Sequence, residues 1–165
     1  MINIRNILYA TDFSSHSNQA YFHAVELAQG YGASLTILHV CNSATALALS
    51  ADGGAFPPAL DNVIEDQGYW REQLEQIRPV NSSLKVSHVL LEGDPAEEII
   101  RFAAEAHMDL IVIGTHGRTG LERLLMGSVA ERILRGAPCS VLIAKIPKAL
   151  VVDEKPAAEP VLNEA

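Results

Sequence analysis

The 165-residue chain is 48% hydrophobic and 19% charged, a globular rather than disordered composition, and its length suits one domain burying roughly 70% of its unfolded surface. A formal charge of -8 and a pI near 5.1 argue against sequence-independent nucleic-acid binding and against a grip on anionic lipid, since both need surplus Lys and Arg. The N-terminal MINIRNILYATDFSS runs into strand-like sequence without an apolar signal core, and no apolar run approaches ~18 residues, so neither a secretory signal nor a membrane span is expected and a cytoplasmic location is.

Asn6 to Ala10 is a short apolar run that reads as a buried strand, and the cluster Thr11-Asp12-Phe13-Ser14-Ser15 after it is rich in helix-capping residues. The helix that follows carries Ala20, Ala24, Leu27 and Ala28 at helical spacing and stops at Gly30 and Gly32. A second strand is expected over Ser34 to Val40. Asn42 to Pro58 has no sustained period and reads as an excursion with some helix in Ala44 to Ser50. The amphipathic stretch from Asp61 to Ile77, ended by Pro79, predicts the second helix.

Leu84 to Leu91 alternates apolar with polar residues and closes at Glu92-Gly93, which predicts the third strand. Asp94-Pro95-Ala96-Glu97 supplies an N-cap, a proline at the first helical position and a glutamate three residues past the cap, opening a helix that runs to about His107. Leu110 to Ile113 is wholly apolar, as a parallel strand covered on both faces requires, and halts at Gly114. A last helix over Ser128 to Arg135 and a fifth strand over Ser140 to Ala144 complete the pattern. Strands alternating with helices imply an α/β fold, a mainly parallel sheet with helices on both faces. The domain is expected to occupy residues 1–146, and the proline-bearing tail 147–165 to be disordered.

Chemistry concentrates in Gly114-Thr115-His116-Gly117-Arg118 through Gly127-Ser128-Val129, which leaves a buried strand and enters a helix. Phosphate needs several converging backbone N–H groups; glycines permit unusual dihedrals and close approach, and a helix N-terminus adds partial positive charge. The spacing is neither GxGxxG nor GxxxxGK[ST], so binding would rest on main-chain amides, the Ser128 hydroxyl and Arg118, which suits holding more than rapid phosphoryl transfer. The alternative is that Ser128 and Glu131 form only a capping box. Asp12 likewise reads either as a helix cap or, if the strand order reverses between the first and fourth strands so that Asp12 and Gly114 border one crevice, as an acceptor for ribose or base.

The two cysteines, Cys41 and Cys139, lie beside predicted strands without CxxC spacing and read as packed thiols. None of the six histidines has metal-ligand spacing; His39 and His88 read as structural, and only His116 has a position that suggests ligand contact.

Taken together, Ala10-Thr-Asp-Phe-Ser14, Gly93-Asp-Pro95, Asp109-Leu-Ile-Val-Ile-Gly-Thr-His-Gly-Arg118, Gly127-Ser-Val-Ala-Glu-Arg-Ile-Leu134 and Ala137-Pro-Cys139 resemble the universal stress protein family over about residues 2 to 145. The G-x2-G-x9-G-S pattern of Gly114, Gly117, Gly127 and Ser128 resembles its ATP-binding branch. The resemblance implies an open, Rossmann-like five-stranded parallel sheet of order 3-2-1-4-5, as in adenine nucleotide α-hydrolases. It also implies a homodimer through the fifth strand, Ser140 to Ala144, and an unidentified downstream protein partner in a stress response.

By the same resemblance, Ala10, Thr11, Asp12 and the main chain of Val40 face the adenosine. Gly114, Thr115, His116, Gly117 and Arg118 with Gly127, Ser128 and Val129 surround ribose and phosphates, which Mg²⁺ or Mn²⁺ bridges; no catalytic residue is assigned. Ser140 stands where the family often has proline. The rival readings are a nucleotide-cleaving α-hydrolase, whose SGGxDS-like loop is replaced here by Thr11 to Ser15, a sensor of AMP or cyclic AMP, and a nucleotide-free interaction protein.

Overall fold

Strand side chains alternate between the two faces of a sheet, and here both sets are apolar, so the sheet must be covered on both sides. The computed structural model describes residues 3–41, 67–80, 83–115 and 127–145. Among these the elements are β1 (Asn6–Ala10), α1 (Ser15–Tyr31), β2 (Ser34–Cys41), α2 (Gln67–Gln76), β3 (Val86–Glu92), α3 (Pro95–Glu105), β4 (Leu110–Gly114), α4 (Ser128–Gly136) and β5 (Ser140–Ala144). The strands form one parallel sheet of order β3-β2-β1-β4-β5.

Ile7, Tyr9, Leu35, Ile37, Leu110 and Val112 point to one face, where they meet Ala20, Ala24 and Ala28 of α1 and Leu74 of α2. Their neighbours Leu8, Ala10, Leu38, Val40, Ile111 and Ile113 point to the other, against Ala96, Ile99 and Ala103 of α3 and Ala130 and Ile133 of α4. Full burial of each large aliphatic side chain is worth about 1.5–3 kcal/mol, which makes these two layers the main source of stability. The α1 stripe is all alanine and fully buried, so that helix lies close on the sheet, while Leu27 is only partly covered.

Helix ends follow the capping logic of the sequence with instructive exceptions. Ser14 caps α1 by accepting from Ser17 N–H, and Gly32, at φ 64° and ψ 30°, closes it in the left-handed conformation that favours glycine. Asp94 caps α3 by accepting the Glu97 N–H at 3.0 Å, with Pro95 at the first helical position. That helix stops at Glu105, short of the expected His107, because His107 adopts φ 51° and leaves the helical path. The third strand starts at Val86 rather than Leu84, although the Lys85 carbonyl already accepts from Leu35 N–H. The expected start of the second helix at residues 61–66, the Ala44 to Ser50 helix and the tail 147–165 lie outside the described residues.

At the amino edge of the sheet, Asp109 Oδ2 accepts from Arg5 N–H at 2.8 Å and Asn6 N–H at 2.9 Å, stapling the start of β1 to the start of β4. These two N–H groups hold its carboxyl below the usual carboxylate range. A depressed carboxyl contributes stability above the unfolded value of ~3.9 and loses it as pH falls through the lower folded value. Urea unfolding midpoints are therefore expected to drop between about pH 5 and pH 2, and Asp109→Asn should flatten part of that drop.

Candidate functional site

The strand order reverses between β1 and β4. β1 leads into α1 on one face of the sheet, and β4 is followed by α4 on the other, so the connections part and leave a crevice at the carboxyl ends. The registers place the residues around it. Ala10 pairs with Leu38 and Tyr9 with Val112, so counting onward sets Val40, Asp12 and Thr115 level with one another across β2, β1 and β4.

The main chain of Val40 faces this point for a definite reason. The Leu38 carbonyl accepts Thr11 N–H on the β1 side, whereas the Cys41 carbonyl accepts Gly93 N–H on the β3 side. Backbone groups alternate sides along a strand, so Val40 directs its N–H and C=O towards β1, beyond the last paired β1 residue, while its side chain is buried in the core.

The turn after β1 is fixed by a chain of hydrogen bonds. Ser17 Oγ donates to the Ser14 carbonyl at 2.9 Å, which leaves Thr11 Oγ1 to donate to Ser17 Oγ at 3.1 Å while accepting Phe13 N–H at 3.0 Å. Tyr9 Oη donates to the Ser17 carbonyl at 2.9 Å, and burial pushes that phenol up to about 12, so it stays protonated. Asp12 is half-buried and does not cap α1, a role held by Ser14; its Oδ1 accepts Ser14 N–H at 3.0 Å, which aims the carboxylate. Phe13 is held at φ 62°, a conformation that costs a non-glycine residue roughly 1–2 kcal/mol.

That strained residue is braced by aromatic packing that local sequence patterns do not reveal. The Phe13 ring stacks on Trp70 of α2 at 5.1 Å and meets His39 edge-on at 4.8 Å. His39 Nδ1 lies 2.7 Å from the Thr11 carbonyl, and since a carbonyl only accepts, the proton is on Nδ1. His88 is structural in the same sense, its Nε2 donating to the Ile77 carbonyl at 2.9 Å.

Across the crevice, Thr115 N–H donates to the Ala144 carbonyl at 3.1 Å and the Thr115 carbonyl accepts Gly127 N–H at 2.7 Å. The end of β4 is thus tied to the start of α4. Gly127, not Ser128, is the N-cap: Ser128 is the first helical residue and no side chain caps this end among the described residues. The capping-box alternative fails, because the Glu131 N–H goes to the Gly127 carbonyl and its carboxylate pairs with Arg135 at 2.9 Å. With the Gly127 amide engaged, the donors that helix geometry leaves facing outward are the N–H groups of Ser128, Val129 and Ala130.

Gly127 itself has φ -71° and ψ 154°, extended backbone open to any residue, so conformation alone does not demand glycine there. Gly114 ends β4. His116, Gly117 and Arg118 lie outside the described residues. Among the described residues no group of three His, Cys, Asp or Glu is placed to hold a metal ion, and no helix is long and apolar enough to cross a membrane. Cys41 is buried, and burial pushes the Cys139 thiol up, away from an activated thiolate.

The model of the universal stress protein family matches residues 3–145. The chain belongs to that family. It is similar to universal stress protein MJ0531 of Methanocaldococcus jannaschii, 36% identical over 87% of this chain and 84% of that protein. Among solved structures it is similar to universal stress protein UspA from Lactobacillus plantarum, with 26% identity, a TM-score of 0.65, and coverage of 86% of this chain and 97% of that one. The fold is shared with a universal stress protein solved in complex with cAMP, at 21% identity, TM-score 0.56, and 87% and 98% coverage. It is also shared with an Arabidopsis thaliana family protein solved with AMP bound, at 15% identity, TM-score 0.53, and 91% and 97% coverage.

Thr11→Val keeps the shape of the side chain but leaves Phe13 N–H without its acceptor and removes the bond that Ser17 Oγ accepts, and should destabilise the protein by about 1–3 kcal/mol in urea unfolding. Thr11→Ser, which restores the hydroxyl, should recover most of it.

Proposed function

We propose that this universal stress protein holds an adenine nucleotide, ATP foremost, in the crevice between β1 and β4, and hydrolyses it slowly or not at all. What carries this reading is the register of β2, β1 and β4, which, counted past the last paired residues, brings Val40, Asp12 and Thr115 level beside the start of α4, where no side chain caps the helix among the described residues. One side offers a donor, an acceptor and a carboxylate, which match a base and a ribose. The other offers main-chain N–H groups at a helix N-terminus, which match phosphates.

Holding is favoured over turnover because Gly127, not a lysine, precedes Ser128. A chain of charge -8 would repel a bare triphosphate, so Mg²⁺ or Mn²⁺ arriving with the nucleotide fits as its counter-ion, held largely by the phosphates. The α-hydrolase reading is disfavoured because Thr11 to Ser15 stands in place of an SGGxDS-like loop, and the Thr11 and Ser14 hydroxyls there are engaged with Phe13 N–H, Ser17 Oγ and Ser17 N–H. AMP and cAMP remain the second reading, because two proteins of this fold were solved with them.

Mass analysis of the purified protein, followed by calorimetric titration with ATP, AMP and cAMP in Mg²⁺ or Mn²⁺, tests the reading. ATP is expected to bind most tightly. Gly127→Val is the site-directed counterpart: its backbone suits valine, so the fold should persist while the added side chain crowds the phosphates and weakens ATP by on the order of tenfold or more. Unchanged affinity would place the site elsewhere.

The same reading includes a homodimer, in a cytoplasmic setting, through β5. The Ala144 carbonyl faces β4, so by alternation Val141 and Ile143 turn their main-chain groups to the outer edge of the sheet. Val141→Pro removes an outward N–H and spares the β4 ladder; it should convert dimer to monomer in sedimentation velocity and leave ATP affinity near that of the wild type.

A further inference from the structure

Arg132 lies four residues after Ser128, on the same face of α4 and about one 5.4 Å turn below the helix start. Helical side chains lean towards the N-terminus, so its guanidinium is carried back to the end where the phosphates are placed. There it meets the cap of α3. Arg132 Nη1 donates to Asp94 Oδ2 at 2.9 Å and Nη2 to Glu97 Oε1 at 3.2 Å, while the other Asp94 oxygen caps α3. The α3 cap follows the carboxyl end of β3, and the crevice also lies at the carboxyl ends of the strands. About half of the Arg132 side chain is exposed, and exposed ion pairs of this kind hold weakly.

The other arginine of α4 is differently placed. Arg135 sits nearly a turn further from the helix start and is paired with Glu131 on its own helix. Arg132 is therefore the cation closest to the α4 N-terminus among the described residues of that helix, and its partners belong to a neighbouring element.

We propose that Arg132 is a phosphate-tail residue of the crevice, parked on Asp94 and Glu97 in the empty protein and transferred to the outer phosphates of ATP on binding. It thereby sets a preference for ATP over AMP. The inference rests on the nucleotide reading above. A monophosphate engages the α4 amides but does not extend far enough to draw the guanidinium from Asp94, whereas a triphosphate offers a doubly hydrogen-bonded site of higher charge.

The test is a double-substitution cycle on the full chain, with ATP and AMP affinities read by calorimetry in Mg²⁺. Arg132→Gln should weaken ATP by about tenfold and leave AMP nearly unchanged. Asp94→Asn keeps a competent helix cap but removes the nearer of the two counter-charges, so it should tighten ATP. Because that gain acts through Arg132, it should vanish in the double variant. Circular dichroism and melting temperature confirm that each variant folds. An ATP to AMP ratio unaffected by Arg132→Gln, or an Asp94→Asn gain that survives without Arg132, overturns the inference and leaves the nucleotide reading standing. A wild-type protein that binds neither nucleotide overturns both.

Discussion

The 2.7 Å hydrogen bond from Gly127 N–H to the Thr115 carbonyl fixes where α4 begins relative to the end of β4. Because Thr115 N–H is itself bonded to the Ala144 carbonyl, the helix start is referenced to β5 as well as β4. The buried face of β4 then packs against the helix through Ile111, Ile113, Ala130 and Ile133. Three amides at a helix N-terminus can serve an anion only if they are held in a constant direction, since each contributes modestly and their sum depends on convergence. This short polar closure, braced by a two-sided apolar core, fixes the wall of the crevice to which the proposed function assigns the phosphates.

The opposite wall is built on different physics. Phe13 occupies a backbone conformation unfavourable for its type, and the structure maintains it with the Thr11 hydroxyl, the His39 to Thr11 hydrogen bond and ring contacts to His39 and Trp70. Strain over-determined by its surroundings is a usual property of binding turns. Here its effect is to turn the chain sharply after Asp12 so that α1 leaves on the face away from α4, which opens the crevice. Trp70 brings α2 into the same cluster and so ties that helix to the turn after β1.

Much of the fold was legible because burial on both faces makes β1 and β4 short continuous apolar runs, and because Ser14, Gly32, Asp94 and Pro95 mark helix ends by local chemistry. Strand order was not legible from local pattern; it followed from family resemblance, and the pairings of β1 with both β2 and β4 bear it out. Ser128 looked like a cap because a serine followed three residues later by glutamate satisfies the pattern. The deciding factor is non-local: the Thr115 carbonyl claims the Gly127 amide and shifts the helix start by one residue. The direction of the Val40 main chain and the grouping of Phe13, His39 and Trp70 likewise depend on register and tertiary packing, which no single segment encodes.

The central claim is that the crevice between β1 and β4 receives a nucleotide whose phosphates lie on the start of α4. The most direct measurement is a two-dimensional NMR titration of isotopically labelled protein with ATP and Mg²⁺, following backbone amides. The account predicts the largest shifts at Ser128, Val129, Ala130, Asp12 and Val40, with Arg5 and Asp109 at the amino edge of the sheet unmoved. Saturable shifts confined to other surfaces, with the α4 amides still, would contradict it.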